Sequence, residues 1–320
     1  MPWSSRGSAR CPPARRAARS SWHPAVARVA VLGAGRMGAA MAVRLVDQGH
    51  SVVLWNRTRA RADAVAESNP LVAVEDRPED AVRGCEVVLS VLADGTATRE
   101  VLLDPAVLDA LDPTCVVVDH ATSGPDAARV LATGLSARHI AFLDAPVSGS
   151  IPAVQAGTLL VMASGAAADV ERALPVLEAL ARKVVRVGDA GAGQVMKLAV
   201  NLVLHDLNAA IAEALQLAEA ADIARDDAYT VFQESVVGAP YVQYKRAAFL
   251  DPGTPVAMSL ALVEKDLRLA TGQARALGRP APVTEAVLQA VRAAVGDGFG
   301  ARDMADLSRY DGRAPGAPSR

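Results

Sequence analysis

Cysteine is rare in this chain. The three cysteines, Cys11, Cys85 and Cys115, are an odd number, lie far apart and form no CxxC pair. Such a set encodes neither a disulfide framework nor a zinc site. We therefore expect a protein of a reducing, cytoplasmic compartment that holds no metal.

An excess of charge of either sign is also missing. The chain has 33 Lys plus Arg against 35 Asp plus Glu, a formal charge of -2. This balance supplies no field for nucleic acid or anionic lipid. The longest stretch without a charged residue, 145–168, is interrupted by prolines and glycines, so we expect no membrane span. The expected partners are small molecules and copies of the chain itself.

Lysine is scarce as well. Only Lys183, Lys197, Lys245 and Lys265 occur, which leaves 29 arginines among the 33 basic residues. Where arginine is so strongly preferred, a lysine is a candidate for a task that arginine cannot perform, such as releasing a proton near neutral pH.

Residues 1–25 form an arm with five arginines, no acidic residue and no apolar run long enough for a secretory signal. The arm is either a transit-like presequence or a plain disordered arm. In the second case it could also result from a start codon assigned too far upstream. We exclude it from the fold.

The remaining composition is globular, because 51% of the 320 residues are hydrophobic, enough for about two domains. Residues 26–189 alternate short apolar runs with amphipathic stretches, which predicts an α/β Rossmann-type domain with a doubly wound sheet. The pattern in residues 190–300 predicts an all-α domain, and residues 301–320 are expected to form a short helix and a flexible tail. The predicted strands are 29–32, 51–55, 71–74, 86–91, 115–119, 140–144, 158–163 and 184–187.

Helices are predicted between and after these strands. The longest, 195–221, is rich in Ala and Leu and apolar on most sides, so we expect it to be buried. The others are 37–48, 59–68, 125–135, 167–181, 226–234, 241–248, 258–277 and 284–295.

A glycine-rich turn follows the first predicted strand and opens the first helix. It reads Gly33-Ala34-Gly35-Arg36-Met37-Gly38, a GxGxxG pattern in the context that a dinucleotide pyrophosphate requires. Gly33 permits the tight turn, Gly35 lets backbone N–H groups approach the phosphates, and Gly38 lets helix and strand pack closely. The alternative is a glycine-rich turn without a ligand.

The end of the second strand indicates which dinucleotide binds. No Asp or Glu lies between Asp47 and Asp63, so the usual carboxylate for the ribose hydroxyls is missing. Arg57 and Thr58, which follow Asn56, could bind a 2'-phosphate by charge and hydrogen bonds. The sequence therefore predicts NADP(H) in preference to NAD(H), unless these residues only open the next helix.

Four segments together resemble the β-hydroxyacid dehydrogenases, which include 3-hydroxyisobutyrate dehydrogenase, tartronate semialdehyde reductase and the glyoxylate/succinic semialdehyde reductases. The resemblance covers residues 28–300 and lies in the turn at 33–38, in 144–150 (DAPVSGS), in 193–201 (GQVMKLAVN) and in 265–270 (KDLRLA). It implies a NADP-dependent oxidoreductase with a homodimer or homotetramer formed through the helical domain.

The resemblance also implies site residues. Lys197 is the general acid/base, Asn201 orients it one helical turn later, and Ser148 with Gly149 holds the substrate carboxylate. Without the resemblance, Lys197 and Asn201 could equally be side chains at the edge of a buried helix. The implied cofactor contacts, beyond those of the turn and of Asn56, Arg57 and Thr58, are Val91, Leu92, Ala93, Thr122 and Lys265, with Asp266 helping to fix its helix.

Two departures from the family pattern lie beside the carboxylate grip, Ser150 where a second Gly is frequent and Leu202 where a second Asn is frequent. They favour a bulkier or less polar substrate. Phe232, Ser235, Tyr241 and Tyr244 fall in the substrate-shaping helices of the family, and His205 is expected to be a satisfied core histidine. The alternatives for function are a NADPH-dependent imine reductase, whose relatives generally lack the lysine, and a non-catalytic dinucleotide-binding scaffold.

Overall fold

The computed structural model describes residues 26–312. The predicted arm, residues 1–25, and the end of the predicted tail, residues 313–320, lie outside the described residues.

A sheet of nine strands forms the first half of the described chain. Its strand order is β3-β2-β1-β4-β5-β6-β8-β7, and β9 pairs with β8. From β3 to β6 all neighbours are parallel, whereas β8 is antiparallel to β6 and β7. The strands are β1 (Arg28–Leu32), β2 (Ser51–Trp55), β3 (Val72–Val74), β4 (Val87–Ser90), β5 (Val116–Asp119), β6 (Ala141–Asp144), β7 (Val147–Ser148), β8 (Leu159–Ser164) and β9 (Ala181–Gly188).

Helices cover both faces of this sheet and then form the second half of the chain by themselves. The first eight are α1 (Arg36–Asp47), α2 (Arg59–Ser68), α3 (Pro78–Val82), α4 (Gly95–Leu102), α5 (Pro105–Ala110), α6 (Pro125–Ser136), α7 (Ile151–Gln155) and α8 (Ala167–Leu180). The helical half holds α9 (Ala192–Ala220), α10 (Arg225–Glu234), α11 (Pro240–Leu250), α12 (Leu260–Ala276) and α13 (Pro282–Ala294), then a π-helical turn at Val295–Phe299 and a 3-10 helix at Met304–Arg309.

The predicted fold class is confirmed, and the predicted elements are present with ends shifted by at most three residues. The prediction missed β7, α3, α4, α5 and α7, which have eight residues or fewer and are too short to show a hydrophobic period. A local signal did exist for α4 and α5. Asp94 and Asp104 cap them, Asp94 by accepting from two backbone N–H groups of the first turn and Asp104 by accepting from one.

The prediction that the long helix is buried was wrong for one of its faces. On α9, Val203 is 64% exposed and Leu217 is 74% exposed, although Leu198 and Leu215 are buried. By length and composition alone α9 could cross a membrane. Its buried face, however, carries polar residues bonded to neighbouring elements, including Gln194, Asn201 and Asn208.

Hydrophobic cores lie on both faces of the sheet and within the helical half. One sheet face packs Leu45 and Val31 against α8, and the other packs Leu102 and Leu131 against β4 and β5. The helical half surrounds the buried rings of Tyr229 and Phe249, whose centroids are 5.4 Å apart. These rigid cores fix the loops at the carboxyl edge of the sheet relative to α9.

The junction between sheet and helical half consists of buried hydrogen bonds at the start of α9. At the end of β6, Asp144 accepts from the N–H of Gly191 at 2.8 Å and from the N–H of Gln194 at 3.0 Å. The Gln194 side chain accepts from the N–H groups of Ser123 and Gly124 and donates to the Ala121 carbonyl. Because these groups are buried, apart from the partly buried Ser123, the first turn of α9 and the loop after β5 are held as one unit.

Replacing Asp144 with Asn should lower the free energy of unfolding by about 3 kcal/mol, because one carboxylate oxygen becomes an N–H donor that faces another donor. Urea denaturation measures this loss. Asp126→Asn, at a carboxylate whose side chain is 92% exposed in an ion pair with Arg129, is the control and should change stability by less than about 0.5 kcal/mol. Equal stability of the Asp144→Asn variant and the unaltered protein would contradict this account of the junction.

Candidate active site

A groove of about 650 Å³ lies at the carboxyl ends of β1 and β4, where the strand order reverses. In open α/β sheets this is the position at which ligands bind. One wall comes from the loops after β1, β2, β4 and β5, and the other from the segment before α12 and from α12 itself. The groove therefore lies between the sheet and the helical half.

The glycine-rich turn forms the floor of the groove at the N-terminus of α1. Gly33 has φ +116, and a Cβ there would lie 2.5 Å from the Val91 carbonyl oxygen. A Cβ on Gly38 would lie 1.9 Å from the Gly33 carbonyl oxygen, so both positions require glycine. A Cβ on Gly35 would meet no atom within 4 Å. It would enter the open groove, in the space where a dinucleotide pyrophosphate fits.

Next to the glycine-rich turn, the segment after β2 places arginine side chains in the groove. Arg57, Thr58 and Arg61 line the groove, and neither arginine has an ion-pair partner within residues 26–312. Arg59, between them, instead pairs with Asp63 and Asp76. Sequence reasoning missed Arg61, although its position in the first turn of α2, four residues after Arg57, was a readable signal.

Asn56 has a mainly structural role in this end of the groove. Its side chain accepts from the N–H of Ala34 at 3.0 Å and donates to the Thr58 carbonyl at 2.8 Å. It thereby links the turn after β1 to the turn after β2. Asn56 also lines the groove, as do the other predicted cofactor residues, namely Gly33, Gly35, Arg36, Met37, Gly38, Val91, Leu92, Ala93, Thr122 and Lys265.

His120 lines the same groove and was not predicted from the sequence. Its Nδ1 lies 2.6 Å from the Ala145 carbonyl oxygen, and burial lowers the pKa of the imidazole to about 4. The ring is therefore neutral near pH 7, with Nδ1–H donating to Ala145. A neutral imidazole is a poor proton donor, so His120 is a weak candidate for a general acid.

Two contacts close the groove from the helical half. Lys265 places Nζ 3.4 Å from the Thr122 carbonyl oxygen, and Arg36 donates from Nη1 to the Val256 carbonyl at 2.9 Å. Between them Ala257, Met258 and Leu262 give this wall an apolar surface. Thr122 and Lys265, predicted from distant parts of the sequence, are thus brought together.

Lys197 and Asn201, on α9, do not line the groove themselves but lie near Asp266, which does. The Asn201 amide donates to Asp266 Oδ2 at 2.8 Å, and Lys265 Nζ lies 3.3 Å from Asp266 Oδ1. Lys197 is partly buried and has no ion-pair partner among the described residues. Asn201 therefore holds Asp266 and is not bonded to Lys197.

The pKa of the Lys197 ammonium is lowered, first by burial and also by the like charge of Lys265, against an opposing effect of Asp266. The pKa of the Asp266 carboxyl is also set by opposing effects. Burial raises its pKa, but the contact with His205 and the charges of Lys265 and Lys197 hold it below its usual value. An unpaired lysine with a depressed pKa beside a groove is chemically suited to proton transfer.

Ser148 ends the antiparallel strand β7 and Gly149 follows it, next to Val147 at the edge of the groove. Val147 lines the groove, and Ser148 makes no side-chain hydrogen bond within the described part of the chain. The hydroxyl of Ser148 and the exposed Gly149 are thus available to a ligand, although neither lines the groove directly.

The residues that the resemblance places in the family's substrate-shaping helices lie on α10, on α11 and between them, and their role in shaping the substrate stays a prediction. Within this chain Phe232, Ser235, Tyr241 and Tyr244 do not line the groove. Tyr241 instead donates to Asn208 at 2.6 Å inside the helical core. The expectation that His205 is a satisfied core histidine was wrong, because both ring nitrogens are buried without a hydrogen-bond partner.

Comparison with known proteins defines the class. Residues 28–188 match the family described as the NAD binding domain of 6-phosphogluconate dehydrogenase. Residues 191–310 match a second family, whose description is "NAD-binding of NADP-dependent 3-hydroxyisobutyrate dehydrogenase". Fold, groove and these matches define an oxidoreductase with a nicotinamide dinucleotide domain. The chain belongs to the β-hydroxyacid dehydrogenase family.

Three relatives illustrate the range of that family and its structural neighbours. Glyoxylate/succinic semialdehyde reductase 1 of Arabidopsis thaliana is 27% identical over 86% of this chain and 95% of its own length. The solved 3-hydroxyisobutyrate dehydrogenase of Mycobacterium tuberculosis with L-serine is 30% identical, with a TM-score of 0.77 over 89% of this chain and 98% of that chain. The imine reductase of Streptomyces aurantiacus is 25% identical, with a TM-score of 0.62 over 88% of this chain and 98% of that chain.

Filling the cradle above Gly35 should block the dinucleotide without harming the fold. Gly35 has φ -70, which any residue adopts, so Gly35→Leu should keep the thermal midpoint and weaken dinucleotide binding about 30-fold or more. Calorimetric titration with NADPH and with NADH measures this loss. Gly272→Leu, at an exposed helical glycine with equally open space, is the control and should bind normally. Tight binding by the Gly35→Leu variant would contradict this position for the pyrophosphate.

Proposed function

We propose that this protein is a NADP-dependent oxidoreductase that transfers a hydride between nicotinamide and a small 3-hydroxy acid or the corresponding semialdehyde carboxylate. The observation that carries the proposal is Lys197, an unpaired lysine whose pKa is lowered and which lies near Asp266 and Lys265, two residues that line the groove. The semialdehyde reductase from Arabidopsis supports the substrate class.

The bound nicotinamide supplies the chemistry of hydride donation or acceptance at its C4 atom. The residues that would hold the dinucleotide are the glycine turn, Arg57, Thr58, Arg61, the 91–93 loop, Thr122 and Lys265. They come from both halves of the chain, so binding would also fix the helical half against the sheet.

Lys197 would move the proton that balances the hydride. In reduction, the carbonyl carbon of the substrate gains the hydride and the Lys197 ammonium gives a proton to the carbonyl oxygen, leaving a neutral amine. In oxidation, the neutral amine takes the hydroxyl proton while the hydride leaves. The reductive rate should therefore fall as pH rises through the lowered Lys197 pKa, and the oxidative rate should rise.

Ser148 and the Gly149 backbone would hold the substrate carboxylate through hydrogen bonds without a full positive charge. The apolar side chains of Val147, Met258 and Leu262 stand nearby in the groove. Together with Leu202, they favour a substrate with an apolar portion.

A homodimer or homotetramer through the helical half is part of the proposal. The exposed apolar residues Val203 and Leu217 on α9 support it. A cytoplasmic location remains a prediction from the cysteine content.

An imine reductase is the second candidate, because an imine reductase shares the fold over most of this chain. Lys197 favours the alcohol chemistry, since an ammonium that gives its proton to the carbonyl oxygen being reduced has a defined task there. A scaffold without turnover has less support, because it gives an unpaired, partly buried lysine no role.

Lys197→Met should abolish turnover of a carboxylated aldehyde by at least about 100-fold in kcat, because the proton donor is lost while the apolar stem is kept. NADPH oxidation in the presence of succinic semialdehyde or glyoxylate measures this. NADPH binding by calorimetry should stay within about threefold of the unaltered protein. Near-normal kcat in the Lys197→Met variant would overturn the assignment.

Replacing Arg57 and Arg61 together by Ser should raise KM for NADPH by about 30-fold and leave KM for NADH nearly unchanged, because only the 2'-phosphate requires the cations. The ratio of kcat/KM for the two dinucleotides reports the change. Arg59→Ser is the control, since Arg59 is paired with Asp63 and Asp76, and should keep the ratio. A protein that already prefers NADH would contradict the NADP assignment.

A further inference from the structure

His205 is a buried histidine that the proposed reaction does not use. Its side chain is 0% exposed, and neither ring nitrogen has a hydrogen-bond partner. On α9 it follows Lys197 and Asn201 at intervals of four residues, so the three side chains lie along one face of the helix. A buried polar ring without bonds costs free energy, which calls for a functional explanation.

The imidazole faces the carboxylate of Asp266. His205 Nε2 lies 3.9 Å from Asp266 Oδ2, the oxygen that also accepts from Asn201 at 2.8 Å. Lys265 lies 3.3 Å from the other oxygen, Oδ1. Asn201, Lys265 and His205 therefore all lie within 4.0 Å of the carboxylate.

Lys197 is left without a counter-ion as a result. The negative charge of Asp266 acts on Lys197, yet the two do not form an ion pair of 4.0 Å or less. If Asp266 turned towards Lys197, the ammonium would gain a partner and hold its proton more strongly. Oδ2 of the Asp266 carboxylate is bonded to Asn201, whereas Oδ1 has no hydrogen bond and lies only within ion-pair distance of Lys265.

We infer that His205 is a positioning residue that keeps the Asp266 carboxylate directed away from Lys197, so that Lys197 remains free to exchange a proton. This inference rests on the proposed role of Lys197 as the proton donor. His205 acts through Asp266 and touches neither substrate nor dinucleotide.

The charged groups around this cluster are few. Asp266 and Lys265 on α12 act on Lys197, and His205, Lys265 and Lys197 act on Asp266. His205 also faces the charge of its chain neighbour Asp206, which accepts a hydrogen bond from Thr284 at 2.9 Å. Asp206 is bonded away from Lys197, so Asp266 is the carboxylate whose position sets the lysine's proton affinity.

The test removes the ring. His205→Leu should raise the Lys197 pKa by about half a unit or more, because the released carboxylate turns towards its remaining cations. His205→Gln, whose amide reaches Asp266 and donates to it, should restore the original value. Asn208→Leu, one turn further on, removes two buried hydrogen bonds of the helical core and should lower stability without moving the Lys197 pKa.

The low lysine content makes a direct readout possible without turnover. The rate at which acetic anhydride acylates Lys197 follows its neutral fraction, and peptide mass spectrometry resolves it from Lys183, Lys245 and Lys265. Exposed Lys183 serves as the internal reference. The pH profile of kcat/KM for aldehyde reduction should show the same displacement, with its alkaline limb moved to higher pH in His205→Leu.

The double variant His205→Leu/Asp266→Asn separates a direct from an indirect effect. Asp266→Asn alone should lower the Lys197 pKa by about one unit, and adding His205→Leu should change nothing more. An unchanged Lys197 profile in His205→Leu, or an equal shift in Asn208→Leu, would overturn the inference.

The outcomes also distinguish this inference from the proposed function. A shifted acylation profile without turnover of any carboxylated aldehyde would support His205 as a positioning residue and contradict the proposed function. Turnover of a carboxylated aldehyde with an unshifted acylation profile would support the proposed function and contradict the role of His205. If His205→Leu does not fold, His205→Asn replaces it. The Asn amide is one methylene shorter than that of Gln and does not reach Asp266. His205→Asn should therefore raise the Lys197 pKa, whereas His205→Gln should not.

Discussion

The buried hydrogen bonds at the start of α9 are the constraint on which the site depends. Asp144 ends β6 and accepts from two backbone N–H groups of the first turn, while Gln194 bonds the loop that carries Thr122. Lys197 lies one turn further along. The distance between the dinucleotide groove and the lysine is therefore set by groups that water cannot reach, so a displacement of one would displace the other.

Electrostatics within the site follow from that placement. Burial favours the neutral form of Lys197, and Lys265 adds to this, while Asp266 opposes it from a carboxylate held by Asn201 and Lys265. A lysine in a full ion pair would hold its proton too strongly for exchange near neutral pH, and an exposed one would have an ordinary pKa. The structure gives Lys197 an intermediate environment that suits a general acid in one direction and a base in the other.

Much of this arrangement could be predicted from the sequence, because periodicity and glycine spacing are local properties. The sheet, the glycine turn and the long helix follow from such patterns, as does the absence of a carboxylate after β2. What the sequence could not show depends on long-range packing. Lys265 contacts Thr122, and Asn201 holds Asp266, across 60 or more residues of sequence. The placement of the unbonded His205 ring beside Asp266 depends on the rotation of one helix against another. The exposed side of α9 was missed for the same reason, since composition does not show which face has neighbours.

The central claim is that the groove and Lys197 reduce a carboxylated aldehyde with NADPH. The most direct measurement is initial NADPH oxidation by the purified protein with succinic semialdehyde, with its methyl ester and with a cyclic imine in parallel. The account predicts turnover of the free acid, a large rise in KM for the ester and no turnover of the imine. Turnover of the imine alone, or equal kcat/KM for acid and ester, would contradict it.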